Sequence, residues 1–250
     1  MSDPSAYAAI LVKSYRSGRR PAVGDVARAM ERADGPAVHA TVAAALGCRV
    51  EAWKVAIPEG VGTYAPMFDR AVKPSGTTVA QIENGFLVEI ELAVRLISDL
   101  APRSDRPWTR DEVAAACGEA LVGIELVAGR QLGTPPDVPF PAWFGDNMGN
   151  YTYAIGASVP FASVADRLDS LRCTVTVDGA VTHDAPGHPL GDPLKPLVAC
   201  VNAQVDLFGG FRAGQLVTLG SINKPVLVTG PATLTGALDG IGTVTVVLTA

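Results

Sequence analysis

The sequence predicts a β-rich α+β fold in which a short helical segment precedes a long region of strands. Apolar residues recur at helical spacing up to about residue 48, and from Arg49 onward their period falls towards two, which is typical of strands. Only two further helical patterns interrupt the strands. We therefore expect residues 1–48 to form an N-terminal helical segment and residues 49–250 to form one β-rich domain.

Five helices are expected. Three lie in the N-terminal segment, at residues 5–15, at 23–33 and, after the Asp34-Gly35-Pro36 break, at a helix that ends at Gly47. A capping box formed by Thr109 and Glu112 predicts a fourth helix that continues to residue 120. Asp192-Pro193 supplies an N-cap and a first-turn proline for a fifth, predicted to reach residue 208 with Val205 on its apolar face.

Strands are predicted wherever apolar residues alternate. The segments are 49–56, 86–96, 123–128, 151–156, 172–177, 180–183, 216–219, 226–229 and 243–248. Asp178-Gly179 is a typical two-residue hairpin turn between two of them. Several glycines and prolines mark residues 57–85, which precede the strand predicted at 86–96, as a loop. This loop is a candidate cover for an active site.

Bulk properties narrow the class of protein. The chain has 250 residues, a net charge of −5 and a pI near 5.2, and its basic residues are scattered, so nucleic acid is not an expected partner. The four cysteines lack paired metal-site spacing and indicate buried free thiols in a reducing compartment. No apolar stretch is long enough to cross a bilayer and no leader pattern opens the sequence. These features predict a soluble, cytoplasmic protein without a membrane partner.

Two glutamates alternate on the strand predicted at residues 86–96. Side chains two apart on a strand share a face, so Glu89 and Glu91 point one way while the large apolar residues between and around them point the other. The apolar face belongs to a core. The face that carries the glutamates fits either a functional site or the solvated side of a half-exposed antiparallel strand.

Glu125 favours the functional interpretation. It lies in the apolar run 121–128, where no opposite charge occurs before Arg130. An unpaired buried carboxylate costs several kcal/mol unless it is neutralised or bound to a metal. Together with Glu89 and Glu91 it makes a set of three carboxylates, which suits Mg²⁺ or Mn²⁺ because these ions prefer oxygen ligands and keep positions open for water and substrate.

Several segments between Val50 and the C-terminus match, in order and spacing, the motifs of one known family. They are Trp53-Lys54-Val55, the Glu89-x-Glu91-x-Ala93 strand, the lone Glu125, the Asp146-Asn147 loop, Gly187-His188-Pro189-Leu190, and the strand from Gly214 to the Gly220-Ser221 turn. In this respect the chain resembles the fumarylacetoacetate hydrolase superfamily, and within it the branch of 2-keto-4-pentenoate (2-hydroxypenta-2,4-dienoate) hydratases and 4-oxalocrotonate decarboxylases.

The resemblance implies a mixed β-roll with N-terminal helices, and a catalytic function for residues 49–250. It implies that a Mg²⁺ or Mn²⁺ ion, held by the three glutamates, stabilises the enolate of a small 2-hydroxy-dienoate or 2-oxo acid, to which water is then added during the catabolism of aromatic compounds. Lys54 would shuttle the proton; a lysine that merely snorkels to the surface is the alternative. Asp146, Asn147 and Ser221 would orient substrate or water, and His188 would support them.

The sequence also departs from the family pattern. The hydratases carry an acidic residue after a longer loop, and the matching place here is Thr63-Tyr64-Ala65, with Asp69 as the nearest substitute. The family's Gly-Asp is Gly214-Gln215 in this chain. Decarboxylation, C–C bond hydrolysis, or a metal-binding partner subunit with little activity of its own therefore remain alternatives. A homo-oligomer, possibly in complex with a pathway enzyme, is the expected assembly.

Overall fold

The computed structural model describes residues 1–203 and 208–250, and these residues form an α+β fold as predicted. The helices are α1 (Pro4–Ser17), α2 (Asp25–Arg28), α3 (Gly35–Leu46), α4 (Arg110–Ala115), α5 (Phe140–Gly145) and α6 (Lys195–Ala203). The strands are β1 (Val50–Ala56), β2 (Thr63–Phe68), β3 (Val72–Pro74), β4 (Thr77–Ala80), β5 (Phe86–Leu96), β6 (Cys117–Val127), β7 (Asn150–Pro160), β8 (Arg172–Val177), β9 (Ala180–Pro186), β10 (Leu216–Ser221), β11 (Val226–Val228), β12 (Ala232–Leu238) and β13 (Gly242–Thr249).

Within the described residues the strands form two mixed sheets. The larger has the order β2-β1-β10-β5-β6-β7-β3, and β11 pairs with the free part of β5. The smaller has the order β4-β13-β12-β8-β9. Most neighbours are antiparallel, but β1 runs parallel to β10, β3 to β7, and β4 to β13. The two long central strands, β5 and β6, therefore lie at the middle of the larger sheet.

The main core fills the space between the two sheets. Ile90 and Leu92 of β5 are fully buried there, in the same cluster as Leu234 and Val246 of the smaller sheet. Gly236 lets β12 approach β5 closely, because a Cβ at this position would lie 2.5 Å from the side chain of Ile90. The alternation predicted for β5 is confirmed on this face, and the opposite face is left for its glutamates.

The N-terminal helices cover that opposite face of the larger sheet. Tyr7 and Leu11 of α1 and Val38 of α3 share a second buried cluster with Phe68 of β2 and Phe144 of α5. The hydroxyl of Tyr7 donates a hydrogen bond to the carbonyl of Ala142 at 2.8 Å. Helices give way to strands between Leu46 and Val50, at the predicted position, and whether residues 1–48 form a separate unit stays a prediction.

Several expected elements differ from those observed. The helix predicted at 23–33 is the single turn of α2 followed by a 3₁₀ turn, Arg32–Asp34. The Thr109 capping box is confirmed, but its helix ends at Ala115 because the chain then enters β6, where Cys117 pairs with Leu96 of β5. The loop predicted over 57–85 contains β2, β3 and β4, and β12 was not predicted. Of the helix expected to reach residue 208, Lys195–Ala203 is observed, while Val205 lies outside the described residues.

Smaller expectations agree with the structure. Asp178 and Gly179 both have positive φ and connect β8 to β9 as a hairpin. All four cysteines are free thiols; three are buried and Cys48 is half-buried. Across the parts of the chain that the structure describes, no helix has the length and apolar character needed to span a bilayer.

Candidate metal centre

The pairing of β5 with β6 brings the three predicted carboxylates together. Glu89 lies directly opposite Glu125 in the register, and Glu91 lies two residues along the same face, opposite Gly123. One oxygen from each of the three side chains lies within 4.8 Å of the others. Lys54 of β1 reaches the same place, and we call these four residues the carboxylate cluster.

Glu91 is the member of the cluster whose carboxylate is buried without a hydrogen-bond partner among the described residues. It is 1% exposed, and neither of its carboxylate oxygens has a hydrogen-bond partner among the described residues. Burial, and next the negative charge of Glu125, raise the pKa of Glu91 well above its usual range. Burial likewise raises the pKa of Glu89, although the ammonium of Lys54 opposes that shift. The site thus resists holding three negative charges without further positive charge.

Lys54 is paired with the cluster and does not snorkel to solvent. Its Nζ lies 2.7 Å from Oε2 of Glu125 and 3.9 Å from Oε2 of Glu89. Burial alone would lower the pKa of this ammonium, but the three surrounding carboxylates raise it above the ordinary lysine value. The acidic neighbours of Lys54 therefore stabilise its charged ammonium form.

A strained turn presents a further ligand to Lys54. Asn147 and Met148 both have positive φ, at 54° and 51°, although neither is a glycine. This conformation is costly for side chains with a Cβ and persists only where the surroundings enforce it. The carbonyl oxygen of Met148 accepts a hydrogen bond from Nζ of Lys54 at 3.4 Å. The amide of Asn147 donates to the carbonyl of Pro66 at 2.8 Å, which ties the turn to β2.

Asn150 is a member of the site that the sequence did not reveal. It is 1% exposed at the start of β7, and its Nδ2 donates a hydrogen bond to Oε1 of Glu125 at 2.9 Å. Glu125 is thus held from one side by Lys54 and from the other by Asn150. A single asparagine at a strand end has many ordinary roles in turns, so its type and position gave no signal.

Tyr153 of β7 lies next to the carboxylate cluster, beside Glu125. It pairs with Glu125 across β6 and β7, and its hydroxyl occupies the space that a side chain at Gly123 would need. This hydroxyl is fully buried and has no hydrogen-bond partner among the described residues, and the same holds for the hydroxyl of Thr218. Burial, followed by the charges of Glu91 and Glu125, raises the pKa of Tyr153 well above its usual range, so the phenol keeps its proton.

Two more of the predicted residues, Ser221 and His188, lie beside or near the cluster. Ser221 pairs with Glu91 across β10 and β5, but its hydroxyl donates to the carbonyl of Asn223 at 2.8 Å. His188 is buried in the turn before α6, and its Nδ1 accepts a hydrogen bond from the backbone of Leu190. Burial lowers the pKa of His188, so its ring is neutral near neutral pH, and its Nε2 is buried without a hydrogen-bond partner among the described residues.

Asp146 takes part in a second buried cluster. Its Oδ2 accepts a short hydrogen bond from the backbone N–H of Arg130, and its Oδ1 lies 3.9 Å from the Arg130 guanidinium. That guanidinium lies 4.2 Å from the centroid of the Tyr15 ring. Burial raises the pKa of Asp146 to about 6, and Arg130 opposes the shift. We call Asp146, Arg130 and Tyr15 the Asp146 cluster.

The structure places Asp69 away from the carboxylate cluster. It follows the last residue of β2, where it forms an ion pair with Arg49 at 3.4 Å, one residue before β1 begins. Lys54 lies five residues further along that strand, about 16 Å away at the usual rise per residue. The side chain that occupies the position expected for an acid is Thr63, and its hydroxyl accepts a short hydrogen bond from the guanidinium of Arg32.

The residues present fit a divalent cation. Three carboxylates converge on one point, both oxygens of Glu91 lack a partner in the described chain, and the nearby base carries one positive charge only. Carboxylate oxygen is the donor type that Mg²⁺ and Mn²⁺ prefer. A bound dication would supply the charge that the site lacks.

Comparisons with known proteins point to one group of enzymes. No family model matches the chain. A "2-keto-4-pentenoate hydratase" from Paraburkholderia phymatum is 28% identical over 158 residues, which are 63% of this chain and 58% of that protein. The match thus spans less than two thirds of the length of this relative. This match and the spacing of the glutamates, Lys54 and Asp146-Asn147 together indicate which group of enzymes the chain resembles.

The chain resembles the fumarylacetoacetate hydrolase superfamily, hydratase/decarboxylase branch, as predicted. A solved structure of 4-oxalocrotonate decarboxylase from Pseudomonas putida G7, complexed with magnesium and adipate, has a TM-score of 0.79 at 18% identity and covers 98% of this chain and 97% of its own. A fumarylpyruvate hydrolase from Pseudomonas aeruginosa, in complex with Mn²⁺ and pyruvate, has a TM-score of 0.55 at 19% identity and covers 75% and 78%. These two likenesses show the fold.

Proposed function

We propose that this protein is a divalent-metal-dependent lyase that adds water to a small 2-hydroxy-dienoate or 2-oxo acid. The observation that carries the proposal is the carboxylate cluster: three acidic side chains around one lysine, with both oxygens of Glu91 lacking a partner in the described chain. The similarity to 2-keto-4-pentenoate hydratases supports the reaction class. The magnesium and manganese bound by structural neighbours support the choice of cation.

The roles of the side chains follow from their positions. Glu89, Glu91 and Glu125 would hold Mg²⁺ or Mn²⁺, and this ion would supply Lewis-acid stabilisation of negative charge on the substrate's oxygen atoms. Lys54 would move the proton, since its Nζ lies within hydrogen-bond reach of the site and is held there by Glu125 and the Met148 carbonyl. Asn150 would fix the orientation of Glu125.

The surrounding residues would exclude water from the cluster and shape it. The phenol of Tyr153 is a buried polar group without a partner in the described chain, so it is free to donate to a ligand that fills the site, whereas the hydroxyl of Thr218 faces Glu91 and opposes the rise in the pKa of that carboxyl. Asn147 and Ser221 would contribute by shaping the turn and strand that face the substrate, because their own polar groups are bonded to the backbone. Asp146 and Asp69 have no place in this scheme.

The alternative activities share the first step. Ketonisation of a dienol needs a proton carrier and stabilised negative charge, whereas hydration also needs a base that positions water. Thr63 occupies the place where the hydratases carry the acidic residue that would act as this base. A decarboxylase or C–C hydrolase of the same superfamily, or a metal-binding partner subunit, is therefore the second candidate, and time-resolved NMR of the products separates them.

Ultraviolet absorbance of a 2-hydroxy-dienoate tests the proposal. With Mg²⁺ present, the protein alone should consume the dienol, and chelation of the metal should stop the decay. Glu125→Gln should lower the rate by about 10²-fold or more, as expected for loss of a metal ligand. Glu119→Gln is the matched control, because Glu119 lies on the same strand but pairs with Arg95 at the surface. Equal rates for the two variants would contradict the assignment.

A small-molecule substrate and self-association complete the proposal. The mean hydropathy of +0.26 and the alanine-rich surface of α1 and α3 favour contacts between copies of this chain. Light scattering at micromolar concentration measures the mass directly. A stable monomer would remove the homo-oligomer from the proposal and leave the chemistry untouched.

A further inference from the structure

A cavity of about 440 Å³ lies between the N-terminal segment and strands β1 and β2. Its walls are largely aromatic and apolar. The lining residues include Arg32, His39, Thr63 and Phe144, together with Phe208 and with Trp53 of the main core. The volume is that of a site for a small organic molecule.

The strand register fixes where this cavity lies relative to the chemistry. Thr63 pairs with Ala56 and Lys54 pairs with Ala65, so Thr63 and Lys54 share a face and lie two residues apart along the strands. That separation is about 7 Å. Because β1 is parallel to β10, and Ser221 at the end of β10 pairs with Glu91, the cavity lies towards the end of the sheet that carries the glutamates. A substrate chelated at one end could extend its other end into the cavity.

Arg32 is the one charged residue that lines the cavity in the described parts of the chain. Its guanidinium donates to the hydroxyl of Thr63 and, at 3.5 Å, to the carbonyl of Val61, and it lies 5.5 Å from the centroid of the Phe140 ring. No carboxylate of the described residues lies within ion-pair distance of it. A half-buried guanidinium against aromatic walls is well suited to bind a planar carboxylate through two parallel hydrogen bonds.

The other polar residues of the cavity cannot take this role. Nε2 of His39 is bonded to the carbonyl of Phe144 at 2.7 Å, and burial lowers the pKa of His39 to about 4, so this ring is neutral. Thr63 is buried and already bonded to Arg32. Recognition of a negative charge in this cavity therefore rests on Arg32.

We infer that Arg32 binds a second carboxylate at the far end of the substrate, so that the site selects dicarboxylates, such as 2-oxo or 2-hydroxy-dienoic diacids, over monocarboxylates of the same chain length. The inference deepens the proposed function and rests on it for the position of the first carboxylate. Arg32 is a specificity-determining residue in this account, and the proton transfer remains with Lys54.

Binding of two inert ligands tests the inference. 2-Oxohexanedioate and 2-oxohexanoate have the same chelating end and differ only in the distal carboxylate. By titration calorimetry with Mg²⁺, the wild-type protein should bind the diacid at least about tenfold more tightly, the usual gain from a charge-assisted pair. Arg32→Gln should remove that preference and leave the affinity for the monoacid within about twofold.

Two further variants make the result specific. Thr63→Asp keeps Arg32 but places a carboxylate beside it, so it should also remove the preference for the diacid. Arg28→Gln is the matched control, because Arg28 is an exposed arginine of the same segment that does not line the cavity. It should bind both ligands as the wild type does. If Arg32→Gln fails to fold, Thr63→Asp decides the question.

The outcomes separate this inference from the proposed function. Equal, Mg²⁺-dependent affinities for the two ligands in the wild type would overturn the role of Arg32 and leave the metal site standing. A diacid preference that survives in Arg32→Gln or Thr63→Asp would overturn it as well. Binding that depends on Arg32 but not on Mg²⁺ would support the carboxylate pocket while it contradicts the proposed metal chemistry.

Discussion

The carboxylate cluster and the Asp146 cluster are built from the same kinds of residue, but their charge is balanced differently. Each has an acid and a base buried against the larger sheet. In the Asp146 cluster one carboxylate faces one guanidinium, and an aromatic ring covers the cation. In the carboxylate cluster three acids face one ammonium, so negative charge is in excess when all four groups are ionised.

The difference teaches how to tell a ligand site from a structural ion pair. In the Asp146 cluster the charges balance one to one and Arg130 also bonds to the carbonyl of Asn150, although Oδ1 of Asp146 has no hydrogen-bond partner among the described residues. An excess of one charge together with polar atoms that lack partners in the described chain, as at Glu91, requires a further group to complete it. The two clusters touch through Asn150, whose amide bonds Glu125 and whose carbonyl bonds Arg130.

The largest expected effect is a loss of activity when the carboxylate cluster is changed. Lys54→Met keeps most of the side-chain volume and removes the amine, so the rate of dienol consumption should fall on the order of 10²–10⁴-fold, typical for loss of an acid–base group. With Mg²⁺ present the variant should stay folded, because methionine fills most of the volume of the lysine side chain and the cation offsets the charge of the three carboxylates. Absorbance assays and circular dichroism measure both. A folded variant with near wild-type turnover would exclude Lys54 from the mechanism.

A second comparison concerns the free energy of unfolding. Arg130→Met leaves Asp146 buried without its cation and should cost about 3–5 kcal/mol. Glu91→Gln removes excess charge from a buried site, so without metal it should stabilise the fold, while the rise in Tm on adding Mg²⁺ should shrink markedly. Denaturant titrations with and without Mg²⁺ provide the values. If both variants lose similar stability without metal, the distinction between the clusters is wrong.

The smallest effect comes from His39, a buried group that is kept neutral instead of paired. Its pKa is lowered to about 4 in the folded protein, so between about pH 4 and pH 6.5 the unfolded chain binds more protons. The contribution of His39 to stability is therefore complete above pH 6.5 and is lost as the pH falls towards 4, by about 3 kcal/mol in total.

His39→Gln isolates this contribution. The difference in unfolding free energy between wild type and variant should depend on pH in that window and be constant from pH 7 to pH 8. Taking the difference cancels the raised pKa of Asp146, which changes stability in the opposite direction over an overlapping range. A difference that is independent of pH throughout would mean that the pKa of the ring is the same in the folded and the unfolded chain, as for an exposed imidazole.

The sequence predicted those parts of the molecule that depend on local periodicity. Period-two alternation placed Glu89 and Glu91 on the face opposite the core, and the apolar run around Glu125 marked it as buried. Asn150 and Arg32 escaped prediction because each reaches the site through contacts between distant segments. Thr63 and its neighbours appeared to be a loop because glycine and proline surround them, yet pairing with β1 makes them a strand.

Other misses have the same origin in tertiary contacts. The Thr109 capping box correctly set the start of α4, but pairing with β5 overrode helical propensity after residue 115. β12 contains Gly236, which weakens a strand taken alone but is required for close approach to Ile90. Asp69 is close in sequence to the place of the missing acid, but the direction of β2 carries it away from the site.

Arg32 lies in a different part of the chain from the residues proposed to carry out the reaction. The proposed proton carrier and cation ligands lie on β1, β5 and β6, whereas the residue proposed to contact the far end of the substrate lies in the 3₁₀ turn that precedes α3. In this scheme the reaction chemistry and the substrate specificity depend on different segments of the sequence. The repertoire of accepted molecules can be retuned in the N-terminal segment while the reacting groups on the sheet stay as they are.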